Sequence, residues 1–129
     1  MAFEFSNYSV KISRVAGADL SALQYTWVKL STTDTVVTCS AATDIPIGVL
    51  QNAPTSGQEA EVLIIGGTKL VAGATIAIGD LLGTTSAGKA SVVVVANTTL
   101  YVLGTAITGG SANDVITAVV NCSNPTRAI

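Results

Sequence analysis

The chain has 129 residues, of which 49% are hydrophobic and only 11% are charged, and its formal net charge is −2. This length fits one domain, because a chain of this size buries roughly two-thirds of the surface that it exposes when unfolded. The basic residues are scattered along the chain and form no stripe, which argues against direct nucleic-acid binding. They are Lys11, Arg14, Lys29, Lys69, Lys89 and Arg127.

The composition favours strands and tight turns. Charged residues make up about 25% of a typical soluble domain, and here Thr, Ser and Gly replace much of that charge. A surface with so little charge predicts that partner subunits cover part of it. The N-terminus has no signal-peptide pattern, so we expect no export by that route. The most apolar stretch, residues 62–82, is interrupted by glycines, Lys69 and Asp80, which predicts that no helix spans a membrane.

Residues 1–15 are predicted to form an extended N-terminal segment whose length suits an arm that reaches a neighbour, and residues 16–129 a single β-rich domain. In the next stretch, Leu20, Leu23, Trp27 and Leu30 have a spacing close to helical, but residues 24–30 also alternate as a strand. The Tyr, Thr, Trp and Val residues there favour the strand. Trp27, the sole tryptophan, fits either a core position or an interface anchor.

Further strands are predicted at residues 35–39, at 45–50, where Pro46 removes an amide donor, and at 59–65. The pair Gly66-Gly67 is predicted to end the last of these in a hairpin turn, with a separate short strand at 69–71. Residues 72–80 fit either one turn of helix or an extended piece.

The second half continues with a fully apolar run at residues 92–95, which needs cover on both faces, and with strands at 100–108 and 115–121. The tail after Cys122 has the composition of a loop. Because strand-sized runs alternate with turn signals and no β-α-β alternation is visible, the fold class is predicted as all-β. We expect a compact β-barrel or β-tulip domain with at most a short helix.

The residue types argue against catalysis. The chain contains no histidine, which removes Ser-His-Asp and Cys-His catalysis and the common histidine metal sites. Cys39 and Cys122 have no CxxC partner, so we expect no metal site, no cofactor and two buried free thiols, although a fold that brings them together would let them pair. The chain is predicted not to be an enzyme, and no catalytic, metal or cofactor-binding residue is assigned.

The acidic residues allow two interpretations. Glu59 and Glu61 are two positions apart, so on a strand both point to one face, either as a carboxylate pair for glycoside hydrolysis or as an exposed polar face. Sugar hydrolases also need aromatic platforms, and aromatic residues are only 5% of the chain. Asp80 and Asp114 follow turn-forming residues and indicate turns rather than calcium ligands.

One stretch of the chain has a familiar order of elements. Ile47-Gly48-Val49-Leu50 is followed by Gly57, by Ala60-Glu61-Val62 and by Gly66-Gly67, and then by the segments 77–82 (AIGDLL) and 88–90 (GKA). In this order the chain resembles the small head decoration proteins of tailed bacteriophages, of the lambda type, over residues 45–90.

The resemblance implies a barrel-like cement protein that binds the outer surface of the mature head. Its implied partners are the major capsid protein and further copies of itself, as a homotrimer at three-fold or quasi-three-fold sites, and its implied location is the virion. The family has no catalytic residues, and its N-terminal segment, here residues 2–10, contacts the shell. The candidate interface residues are Phe3, Phe5, Tyr8, Val10 and Trp27. The alternative is a receptor- or carbohydrate-binding β-module of a phage fibre or adhesin.

Overall fold

The computed structural model describes residues 9–94 and 97–128, and within them every regular element is a β-strand. This confirms the predicted all-β class. The strands, numbered in chain order, are β1 Val10–Ala16, β2 Trp27–Leu30, β3 Thr35–Thr38, β4 Gly48–Leu50, β5 Glu59–Val71, β6 Leu81–Thr84, β7 Ala90–Val92, β8 Asn97–Val102, β9 Gly104–Ala106, β10 Val115–Asn121 and β11 Thr126–Ala128.

The first five strands close into a ring in the order β1-β3-β2-β4-β5, because β5 also pairs with β1. Most of these pairings are antiparallel, but β1 and β3 run parallel. They meet only where Val15 and Ala16 lie beside the start of β3, and the amides of Val15 and Gly17 donate to the carbonyls of Asp34 and Val36, both at 2.8 Å. The ring is therefore a small barrel with a short parallel seam.

Every strand of the ring contributes to one apolar cluster, which places that cluster inside the barrel. Its buried members are Ala16, Leu20, Val28, Val36, Leu50, Ala60 and Val62. Strand side chains alternate between the two faces of a sheet, so the neighbours of these residues face outwards.

On β2, β4 and β5 the outward neighbours Trp27, Val49 and Leu63 are also buried, because a second layer covers them, whereas those on β1 are exposed. Past the barrel, β5 continues into a sheet with β10, β9, β6 and β7. This sheet packs over the barrel wall and forms the larger core cluster, in which Trp27, Val49 and Leu63 from the barrel contact a set from the second layer that includes Leu70, Leu82, Leu103, Ile116 and Val120. Strands β2 and β4 are thus apolar on both faces, as expected of strands covered on both sides.

The glycine pair in β5 does not form the hairpin that the sequence predicted. Residues 59–71 make one strand, and Gly66 and Gly67 both pair with β10, opposite Val120 and Val119. Gly66 has a φ of +136°, and a Cβ there would lie 2.6 Å from Ser9 Oγ. The glycine therefore lets the start of β1 approach β5 closely, and the strand continues where the sequence indicated a turn.

Further segments differ from the sequence-based expectations. In the apolar run at 92–95, β7 ends at Val92, and Val92 and Val94 are exposed although cover on both faces was expected. Residues 10–15 of the predicted arm lie in β1 and belong to the barrel wall, whereas residues 1–8 lie outside the described residues. The strand expected at 100–108 is divided into β8 and β9 at Leu103, whose buried side chain joins the core. The tail expected as a loop contains β11, which pairs with β8. The part of the chain that the structure describes contains no helix that is long and apolar enough to cross a membrane.

Candidate interaction surfaces

The structure describes two of the five residues that the sequence proposed for an interface. Phe3, Phe5 and Tyr8 lie outside the described residues. Val10 is 47% exposed, whereas Trp27 is fully buried and its indole Nε1 donates to the Gly83 carbonyl at 2.9 Å. Of the two alternatives for Trp27, the structure thus places it in the core, where it connects the barrel to the second layer and cannot contact a partner.

Val10 belongs to an open, apolar sheet face that we call the outer face, formed by Val10, Ile65, Val71, Val115 and Val119. Val10 pairs with Ile65 across β1 and β5, and Val115 pairs with Val71 across β10 and β5. Val115 and Val119 are 42% and 46% exposed. Side chains of paired residues lie close together on one face of a sheet, so Val10 lies beside Ile65 and Val115 beside Val71, and the buried Thr117 lies between Val115 and Val119 on this face.

Polar groups interrupt and border the outer face. Gly67, opposite Val119, leaves the middle of the face without a side chain, and Lys69 Nζ lies 5.7 Å from the centre of the Tyr25 ring. At one side, a groove of about 270 Å³ runs between β9, β10 and the C-terminal strand, lined by Val102, Leu103, Gly104, Thr105, Val119, Val120, Asn121, Asn124 and Thr126. An apolar floor with a polar rim is typical of protein-binding surfaces.

Sequence reasoning missed most of this surface. Residues 115–121 alternate, but Ile116, Ala118 and Val120 are as apolar as Val115 and Val119, so the pattern does not reveal which set faces outwards. Only the pairing of β10 with β5 and β9 decides it. Val10 alone was identified from the sequence.

A second groove, of about 510 Å³, crosses the outside of the barrel over β1 and is lined by Ser13, Arg14, Val15, Asp34, Gly57 and Glu59. Glu59 Oε1 accepts a hydrogen bond from Ser13 Oγ at 2.6 Å, and Glu61 forms an ion pair with Lys11 at 3.0 Å. Each carboxylate is therefore bound to a side chain of β1, and Glu61 does not line the groove. This arrangement is that of an exposed polar face.

The other acidic residues serve turns. Asp80 Oδ2 accepts from the Ala77 amide and Asp114 Oδ2 from the Ser111 amide, both at 2.8 Å, which confirms the predicted turn roles. Asp44 accepts from Lys29 Nζ at 2.9 Å, and this hydrogen bond lowers the pKa of the Asp44 carboxyl from its usual value. Within the ranges that the structure describes, no group of three or more His, Cys, Asp or Glu side chains is arranged to hold a metal ion.

The thiols of Cys39 and Cys122 are buried and free, and both belong to the core between the barrel and the second layer. Burial raises the pKa of each thiol from 9.0 to about 12, and the charge of Cys39 adds to the shift at Cys122. A thiol reacts as the thiolate. We therefore expect neither cysteine to react with a thiol reagent in the folded protein, and both to react in denaturant.

The same shifts predict a loss of stability at alkaline pH. The unfolded thiols ionise near pH 9.0 and the folded ones near 12, so the stability that they contribute is complete below pH 9.0 and is lost as the pH rises towards 12. Urea unfolding at about pH 8 and about pH 10.5 measures this loss. The Cys39→Ala/Cys122→Ala variant should lose less free energy of unfolding over this interval than the wild type, and an equal loss would contradict the assignment.

Comparisons with known proteins show a likeness of fold. Neither a family model nor a curated protein sequence matches the chain. Among solved structures, the chain is similar to the head fiber gp8.5 N base of bacteriophage phi29, with a TM-score of 0.69 and 21% sequence identity over 88% of this chain and 95% of that chain. At this identity the likeness establishes a shared fold over nearly the whole length of both chains.

Proposed function

We propose that this chain is a structural protein of a tailed-phage virion that binds the outer surface of the mature head as a decoration, or cement, protein. The observation that carries the proposal is the fold shared with the N base of a phage head fiber, over 88% of this chain. The order of motifs in residues 45–90, which resembles lambda-type decoration proteins, supports it independently of that likeness.

The surface of the protein suits such a role. With 11% charged residues and valines such as Val119 exposed on the outer face, the chain has little charge and carries apolar side chains that a partner surface would cover. Apolar burial contributes about 25 cal/mol per Å², so a few hundred Å² against a shell are substantial before the costs of association are subtracted. We propose the outer face as the surface that contacts the major capsid protein.

Cement action then follows from many modest contacts acting together. We propose that subunits assemble as trimers at three-fold or quasi-three-fold sites, where each copy contacts the shell. A trimer dissociates only when all its contacts open at once, so its affinity exceeds that of one subunit by avidity. Such clamps across the joints of the shell would resist the pressure of packaged DNA.

The second candidate is a receptor- or carbohydrate-binding β-module of a phage fibre or adhesin. It is considered because the structural neighbour is part of a phage head fiber. Sugar binding favours aromatic rings that stack on the ligand, but the sole tryptophan, Trp27, is fully buried. We therefore favour decoration. Binding to a glycan array without binding to heads would decide for the module.

An add-back experiment tests the proposed function. Heads prepared without the protein should release their DNA at a lower temperature than complete heads, and addition of the purified protein should restore the higher temperature. Heads with unchanged thermal stability in its absence, or no binding on addition, would overturn the proposal.

The role of the outer face is tested by placing a charge in it. Val119→Asp should weaken binding to the heads by at least about tenfold, because a buried carboxylate without a partner is costly at an interface. The matched control is Ile78→Asp, since Ile78 is 77% exposed in a turn outside the outer face. Cosedimentation with heads measures both variants, and equal binding would show that the outer face is not the contact.

A further inference from the structure

One edge of the barrel wall lacks a strand partner. Strand β1 pairs with β5 along its whole length, but on its other side it meets β3 only at Val15 and Ala16. Between Lys11 and Ser13, no strand within residues 9–94 and 97–128 pairs with this side. Lys11 and Ser13 are both exposed, so the edge is open to solvent.

The hydrogen bonds that are present show which backbone groups point to this edge. The Val15 amide donates to Asp34 on the β3 side, whereas the Ala16 amide donates to Gln58 on the β5 side. Because this direction alternates along a strand, the amides and carbonyls of Lys11 and Ser13 point away from β5. Arg14 Nη1 donates to the Ser13 carbonyl at 2.8 Å, which leaves one lone pair of that oxygen free.

Charges are distributed along the edge with opposite signs at its two ends. Lys11 lies at one end, and the groove at the other end is lined by the carboxylates of Asp34 and Glu59 and by one cation, Arg14, so that its net charge is negative. A two-fold interface requires a surface that is complementary to itself after reversal. This edge is complementary to itself in that sense, because a two-fold rotation brings Lys11 of one copy towards the carboxylates of the other. A lysine alone commonly protects an edge from pairing, but here Glu61, 3.0 Å from Lys11, offsets part of its charge.

We propose that this edge binds the same edge of a second copy, with the two β1 strands antiparallel about a two-fold axis at Ile12. Lys11 of each copy then lies opposite Ser13 of the other, and the two residues exchange backbone N–H and C=O hydrogen bonds. Lys11 of the second copy also lies beside Ser13 Oγ, which is bound to Glu59 Oε1 at 2.6 Å. The result is one continuous antiparallel sheet through both barrels.

This contact differs from the one proposed for the head. It uses the edge of β1 and the groove over the barrel, whereas the outer face apart from Val10 is left free. A two-fold contact of this kind would link subunits of neighbouring trimers on a shell, and it forms between free copies whether or not the protein binds heads. Its failure is therefore distinguishable from failure of the proposed function.

The test compares Ser13→Pro with Ser13→Ala. Proline removes the Ser13 amide, which points away from β5, so the substitution breaks no backbone hydrogen bond of the barrel, although it removes the hydroxyl that donates to Glu59. Alanine removes the same hydroxyl but keeps the amide. We expect Ser13→Pro to halve the mass of the free protein in light scattering across a dilution series, and Ser13→Ala to retain the wild-type mass, with unchanged circular dichroism in both.

A charge variant provides a second test of the same contact in case Ser13→Pro does not fold. Lys11→Glu places a carboxylate beside Glu59 of the second copy and should weaken self-association by about tenfold. The Lys11→Glu/Glu59→Lys double variant restores opposite charges across the axis and should recover part of that loss. The proposal is overturned if the wild type has the mass of Ser13→Pro, or if Lys11→Glu associates as well as the wild type.

Discussion

Substitution of Trp27 by alanine should lower the free energy of unfolding by about 3–5 kcal/mol, which is a large part of the total for a domain of this size. Trp27 is fully buried between the barrel and the second layer, so its removal leaves a cavity where the two layers meet. It also leaves the Gly83 carbonyl without its indole donor. Thermal unfolding should shift down by about 10–20 °C.

The matched control for this substitution is Trp27→Phe. Phenylalanine keeps most of the ring volume but has no N–H, so it should cost about 1–3 kcal/mol, the penalty of a buried carbonyl that loses its partner. Chemical denaturation of both variants separates the cavity from the hydrogen bond. A loss below about 1 kcal/mol for Trp27→Ala would mean that the two layers do not pack around this side chain.

Substitution of Gly48 by alanine should destabilise the protein by about 3 kcal/mol or more, because the added methyl group has no space. A Cβ at this position would meet the Leu63 carbonyl oxygen at 2.3 Å and Val62 Cγ1 at 2.6 Å. The oxygen belongs to the backbone of β5, which is held by β1 and β4, so it cannot move aside. The barrel closes through β4 only because residue 48 has no side chain.

Gly57→Ala is the control for this second substitution. Gly57 has a φ of +84°, but a Cβ there would have nothing within 4 Å. Its cost is therefore limited to the left-handed backbone of an alanine, about 1–2 kcal/mol. Urea midpoints should rank Gly57→Ala above Gly48→Ala, and the reverse order would contradict the close packing of β4 on β5.

The sequence predicted correctly those strands whose own residue pattern favours a strand and whose pairing in the fold agrees with that pattern. The last long strand, 115–121, was predicted with the bounds that the structure has, because alternating β-branched residues follow a turn with Asn113 and Asp114. The strand containing Trp27 was also predicted, but it begins at Trp27 and not at residue 24, because Tyr25 has a φ of +64° and lies in a turn although its residue type favours strands.

The elements that were wrong depend on contacts between distant parts of the chain. The signal of Gly66-Gly67 is the same for a hairpin and for a close approach, and only the neighbouring Ser9 distinguishes them. The tail became a strand because β8 offers it a partner, which a local pattern does not show. Likewise, exposure of Val115 and Val119 follows from sheet pairing and not from their own neighbours in sequence.

The distribution of apolar residues between the core and the surface relates the fold to the proposed function. The barrel interior and the layer contact account for the buried ones, and a set that includes Val10, Val115 and Val119 is left at the surface. An apolar sheet face on a protein of low charge gains stability when a larger surface covers it. A decorated shell offers such a surface many times over.

Cryo-electron microscopy of mature virions that contain this protein tests the central claim most directly. We expect density on the outside of the head at its three-fold and quasi-three-fold positions, into which the barrel fits with Val119 and its neighbours turned towards the shell. Heads whose outer surface carries no such density, with the protein found in the tail or absent from the particle, would contradict it.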